Sequence, residues 1–225
     1  MGQMVQFPAN GHSTAGYLAI PPSGSGPGLL VIQESWGLVE HIRHLCDRFA
    51  AEGFVALAPD LYHGIATKSP DEAGKLFMAL SIGRAATDLR GAADSLLDRT
   101  QVTSAKVGAV GFCMGGQLAL YTGAEFPDRI GAVVDFYGIH PNVRIEPSRI
   151  RVPVLAHFGE QDNSVKVADA RALAAGIEAA GGSIEAHFYP AGHAFFNDSR
   201  PTVYDRGCSE MAWARTLDFL RKHLA

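Results

Sequence analysis

Cysteine is scarce in this chain of 225 residues: Cys46, Cys113 and Cys208 are the only three, odd in number and far apart. That usage fits reduced thiols better than a disulfide framework, and the cytoplasm is the expected compartment. None of them has a neighbouring cysteine or histidine at zinc-site spacing, which leaves no structural metal to expect. No apolar run approaches the roughly 20 residues of a membrane span. The opening MGQMVQFPANGHS also lacks a basic and then apolar leader. Positive charge is short as well: 19 Lys and Arg against 23 Asp and Glu give a net charge of −4, so nothing supplies a basic patch for nucleic acid or an anionic membrane. Repeats, low-complexity tracts and linkers are missing, which leaves one domain over residues 1–225. Its composition is ordinary, at 47% apolar and 19% charged residues.

What the chain does have is a regular alternation of short apolar runs and helical patterns. Two extended segments flank Asn10-Gly11, a dipeptide that favours a tight hairpin. Apolar runs at 28–34, 54–60, 107–110, 130–137, 152–158 and 184–189 read as strands. Between them, helical spacing marks 41–51, 70–78, 85–97, the segment after residue 113, 167–180 and 204–223. The expected fold class is therefore α/β: a mostly parallel central sheet covered by helices on both faces. In such sheets chemistry gathers beyond the carboxyl ends of the strands, where Glu34, Cys113, Asp162 and His193 all fall.

The stretch KVGAVGFCMGGQLALY, residues 106–121, carries the strongest chemical signal. It reads as strand, sharp turn and helix, with Gly111-Phe112-Cys113-Met114-Gly115 at the turn. Gly-x-Cys-x-Gly is a nucleophile elbow with cysteine in the serine position. Glycines on either side relieve crowding in a strained turn, so the sulfur projects above the sheet edge. Unpaired N–H groups at the helix start favour an anion there, and the Met114 N–H points where a substrate oxyanion would form.

Chain order adds partners. Nucleophile, acid and then histidine is the order of triads on the α/β-hydrolase fold, and Cys113, Asp162 and His193 obey it. His193 would serve as general base, with Asp162 fixing its tautomer. Taken singly, Asp162 is equally a turn or helix-capping residue, and His193 a loop histidine. Two other readings stay open: a PfpI-type cysteine protein of the redox or glyoxalase kind, and a non-catalytic binding module on a hydrolase fold. The first has no use for an acid and a histidine late in the chain. The second has no reason to keep all three groups.

The combination Gln33-Glu34-Ser35-Trp36-Gly37, Ala58-Pro59-Asp60-Leu61-Tyr62, Gly111 to Gly116 and Ala191-Gly192-His193-Ala194-Phe195 resembles the dienelactone hydrolase family over nearly the whole chain. The resemblance implies a Cys113, Asp162, His193 triad and an oxyanion hole built from the backbone N–H groups of Met114 and Ser35. It also implies that Glu34 holds the thiol at rest. The reaction implied is ester or lactone hydrolysis of a small molecule through a thioester, with no cofactor and no metal, by a monomer or weak homo-oligomer. Members acting on dienelactone share two arginines that grip the substrate carboxylate; here those positions fall at Pro70 and Asn197. Neither can form a bidentate ion pair. Lys68, Arg84 and Arg200 lie near in sequence as substitutes. Trp36, Tyr62, Phe77, Tyr137, Phe195 and Phe196, with Asn197, are the candidates to line a substrate pocket, though each aromatic is equally at home in a core. Cys46, Cys208, His157 and His187 read as structural.

Overall fold

Asn10 and Gly11 both take positive φ (36° and 96°), as a two-residue hairpin turn requires, and fold β1 (Gln3–Ala9) back onto β2 (His12–Ala19). The computed structural model describes residues 1–224. Six further strands follow: β3 (Gly28–Ile32), β4 (Val55–Pro59), β5 (Val107–Phe112), β6 (Ile130–Phe136), β7 (Val154–Gly159) and β8 (Ile184–Tyr189). They form one eight-stranded sheet in the order β1-β2-β4-β3-β5-β6-β7-β8. Pairs β1/β2 and β2/β4 are antiparallel, and every pairing from β4 through β3 to β8 is parallel.

Alternation along the strands feeds two cores. Leu29 and Val31 of β3 and Val110 and Phe112 of β5 pack on one face, against Ile42, Leu45 and Phe49 of α1 (Glu40–Ala51) and Leu217 and Leu220 of α6 (Arg206–Leu224). Leu30, Ile32, Val107 and Ala109 point the other way. They meet Leu89 and Leu96 of α3 (Ile82–Leu97) and Leu118 of α4 (Met114–Glu125). This is the physical reason β3 and β5 are apolar throughout: both of their faces are dry. Two further helices complete the set, α2 (Pro70–Ala79) and α5 (Val167–Ala179).

Helix boundaries differ from the sequence reading where a cap decides them. α3 starts at Ile82 rather than residue 85 because the Ser81 hydroxyl accepts from the Arg84 N–H at 3.4 Å. α6 starts at Arg206 rather than residue 204 because the Asp205 carboxylate accepts from the Cys208 N–H at 2.8 Å. The elbow strand runs on past residue 110 to Phe112. A short 3-10 turn, Pro147–Arg149, has no counterpart in the apolar pattern. Because β3, β5, β7 and β8 run parallel, the loops that follow them open on the same sheet edge.

Candidate active site

The elbow is the most constrained turn of that edge. Cys113 has φ 54° and ψ −118°, a conformation costly for a residue with a side chain, and it precedes the first turn of α4. Glycine is forced on either side: a Cβ at Gly111 would strike the Gly115 carbonyl, and one at Gly115 would strike the carbonyls of Ile32 and Gln33. The second contact also brings the β3 end, and hence Glu34, beside the elbow.

Three loops then converge. His193 Nε2 lies 3.2 Å from Cys113 Sγ, and its Nδ1 lies 2.7 Å from Asp162 Oδ2. The other carboxylate oxygen of Asp162 accepts from the amides of Ser164 (2.6 Å) and Val165 (2.9 Å). Turn capping and a bond to His193 are thus both true of Asp162, one on each oxygen. Burial works against charge on this carboxyl, but His193 and the two amides outweigh it and hold the group below the usual carboxylate range. Burial likewise opposes charge on His193. Asp162 and Cys113 overcome it and carry the imidazole up to about 10.

The three thiols are not equivalent. Burial pushes Cys46 far up and Cys208 to about 11, whereas Cys113 is half-buried and touches a base. Among the described residues, no acceptor takes a hydrogen bond from the N–H groups of Met114 or Ser35, so both amides remain available at the elbow.

Glu34 is buried (1% exposed) and takes a 2.6 Å hydrogen bond from Asn197 Nδ2 on Oε2, while Oε1 has no partner. The thiol is on His193, not on the glutamate as the resemblance implies. Asn197 lines a cavity of about 420 Å³ together with Trp36, His41, Lys68, Pro70 and Arg200. The Arg200 guanidinium lies over the Trp36 ring, 4.8 Å from its centroid. Arg84 is not part of this cavity and borders a separate one beside His63.

The remaining pocket candidates divide. Tyr137, at φ 44°, lies edge-on to the His193 ring with centroids 5.1 Å apart. Its phenol is driven well above the usual value, first by burial and then by the charges of Glu34 and Cys113, so it stays neutral. The Tyr62 hydroxyl donates to Met114 Sδ at 3.3 Å, which packs it under the elbow helix. Phe77 and Phe195 do not line the 420 Å³ cavity. Phe77 stacks on His140, and Phe195 is fully buried between Tyr137 and Tyr189. Phe196, also buried, stacks on Phe112. Apolar bulk near the site in sequence is spent on the core beneath it. His157 and His187 are structural as read: His157 is buried and bonded to Tyr189 and Thr216, and His187 to Glu185.

Sequence reasoning missed Asp135. This carboxyl is on the penultimate residue of β6, fully buried and without a well-formed hydrogen bond, under the first turn of α4, where a Cβ at Gly116 would strike it. Burial raises it to about 7, against a weaker opposing interaction with the Gly138 amide. The available signal was an ionisable residue inside the apolar run IGAVVDFY.

Comparison with known proteins shows the family and the fold. The profile of the dienelactone hydrolase family matches residues 14–224. Protein usf of Aquifex pyrophilus is 38% identical over 231 residues, covering 100% of both chains. A carboxymethylenebutenolidase of Pseudomonas sp. is 32% identical over 216 residues, covering 92% of this chain and 89% of that one. Among solved structures, a dienelactone hydrolase-like promiscuous phosphotriesterase from metagenomic libraries superposes with a TM-score of 0.88 at 22% identity, covering 100% and 99% of the two chains, a likeness of fold. The chain belongs to the dienelactone hydrolase family, α/β-hydrolase-fold enzymes that cleave ester and lactone bonds.

Proposed function

We propose that this protein hydrolyses small-molecule esters or lactones with Cys113 as nucleophile, His193 as general base and acid, and Asp162 as the group that orients and charges His193. The observation that carries this reading is the continuous line from Cys113 Sγ to His193 to Asp162, at 3.2 Å and 2.7 Å. His193 holds a proton against burial, and with its Nε2 3.2 Å from Sγ it serves, in this reading, as the imidazolium partner of an attacking thiolate. The sulfur attacks the carbonyl carbon, and the C=O electron pair moves onto oxygen. That oxyanion is met by the N–H groups of Met114 and Ser35. Collapse expels the alkoxide or enolate, which takes the proton from His193 and leaves a thioester. Neutral His193 then removes a proton from water, hydroxide attacks the thioester, and the tetrahedral intermediate expels the thiolate beside the imidazolium; the carboxylic acid released gives up its proton to solvent. A thiolate expels poor leaving groups badly, so enol esters and enol lactones suit it better than amides.

In this reading residues 1–225 act as one hydrolase domain in the cytoplasm, as a monomer or weak homo-oligomer, with no nucleic-acid partner. Buried, unpaired Cys46 and Cys208 are consistent with a reducing compartment. Pro8 on edge strand β1 and Glu185 on edge strand β8 discourage strand pairing between copies.

A panel of enol lactones, aryl esters and thioesters assayed with wild type and Cys113→Ala tests the proposal. The expected result is loss of at least ~10³-fold in kcat for the variant, with a mass increase on Cys113 equal to the acyl group in quenched wild type. Unchanged turnover in Cys113→Ala would end the assignment.

A further inference from the structure

Glu34 follows the end of β3, which packs against the elbow at Gly115, and its buried Oε1 has no partner, so something must decide which partner the sulfur takes. We propose that Asn197 is a positioning residue that clamps Glu34 by its Oε2 and so leaves Cys113 to His193 before any substrate arrives. The inference rests on the nucleophile assignment above.

Four observations support it. The Asn197 Nδ2 to Glu34 Oε2 bond is 2.6 Å long, and both residues are buried, at 2% and 1% exposure. A short bond from an amide to a carboxylate away from water is among the stronger neutral-to-charged contacts. The amide cannot flip at low cost, because its Oδ1 already accepts from the Ser199 N–H at 3.1 Å and the Ser199 hydroxyl at 2.6 Å. Only the NH₂ end is left for Glu34. The backbone is pinned as well, with the Asn197 N–H on the Ala194 carbonyl and the Arg200 N–H on the Asn197 carbonyl. One short loop therefore delivers both the base, His193, and the clamp four residues later. Finally, the end of β3 that leads into Glu34 is held against the elbow, since a Cβ at Gly115 would strike the Ile32 and Gln33 carbonyls.

Because the clamp is a neutral amide, it needs no charged substrate group to engage or release it. The thiol is ready for uncharged esters as well as charged ones.

The test is the rate of Cys113 alkylation by iodoacetamide, followed on the Cys113 peptide by mass spectrometry. It compares wild type, Asn197→Leu, Glu34→Gln and the double variant. In Asn197→Leu the freed carboxylate turns to the thiol, and labelling at neutral pH slows roughly tenfold, the size of a one-unit change in thiolate availability. In the Glu34→Gln background the same Asn197→Leu change should alter the rate by less than about twofold, since no carboxylate is left to release. Equal slowing in both backgrounds, or none in either, overturns the clamp while leaving the nucleophile in place. Wild-type labelling no faster than that of free cysteine overturns both. If Asn197→Leu does not fold, Ser199→Ala removes the bonds that orient the amide. It should slow labelling in the Glu34 protein and not in Glu34→Gln; any other pattern rejects the proposal.

Discussion

Asp162 divides its work between two oxygens. The pair of amides on Oδ1 fixes the carboxylate, so that Oδ2 can hold His193 without moving. Asp162→Asn keeps the shape but offers the imidazole an amide in place of a charge, and the tautomer is no longer enforced. Steady-state assays should show kcat reduced by roughly 10²–10⁴-fold with KM little changed. Asp135 makes the opposite case, a carboxyl buried without partners. It is ordinarily ionised above 3.8 in the unfolded chain but stays protonated up to about 7 when folded, so folding takes up a proton between those values and stability falls as pH rises through them. Asp135→Asn removes that dependence. Denaturant melts should show the variant gaining on wild type by on the order of 4 kcal/mol between about pH 4 and about pH 8.

At the scale of elements, the elbow depends on backbone clearances and the capped helices on single side chains. A Cβ at Gly115 meets the carbonyl oxygens of Ile32 and Gln33, main-chain atoms of a central strand and its exit that cannot swing aside. Gly115→Ala is expected to lower stability by about 3 kcal/mol or more and to abolish ester turnover, because β3 and α4 separate where the oxyanion amides should meet. Ser81→Ala, which removes only the α3 cap, is the control: about 1 kcal/mol and no change in kcat. Melting curves paired with turnover assays separate the two. The strand pattern itself was readable because β3, β5 and β7 are dry on both faces and hence apolar throughout. The 3-10 turn Pro147–Arg149 was not, since it rests on local turns with no buried residue.

For the molecule as a whole, the His193 imidazole contributes to stability with a definite sign. The His193 value, ordinarily 6.5, rises to about 10 on folding, so between those values the folded imidazole holds a proton that it lacks in the unfolded chain. Its contribution is complete below pH 6.5 and is lost as pH climbs through about 10. His193→Gln should therefore flatten the alkaline decline in melting temperature between those limits, and an unchanged decline would mean that other groups cause it. Ester turnover in wild type should fall over the alkaline end of the same range, as the imidazolium that protonates the leaving group is lost.

The apolar periodicity, the Asn10-Gly11 turn and the glycines of the elbow were sufficient to determine the α/β order of the chain and the edge where its chemistry lies. They sufficed because backbone sterics and burial act over a few residues and leave their mark in local sequence. The order Cys113, Asp162, His193 pointed to a candidate triad for the same reason, each residue following its own strand, and the three side chains meet in the fold. Only the tertiary structure decided that Glu34 faces Asn197 instead of the thiol, that Arg84 borders a different cavity from Lys68 and Arg200, and that Phe195 is core. Those outcomes depend on which side chains from distant loops share a few ångströms of buried space, and no pattern within a single segment records that.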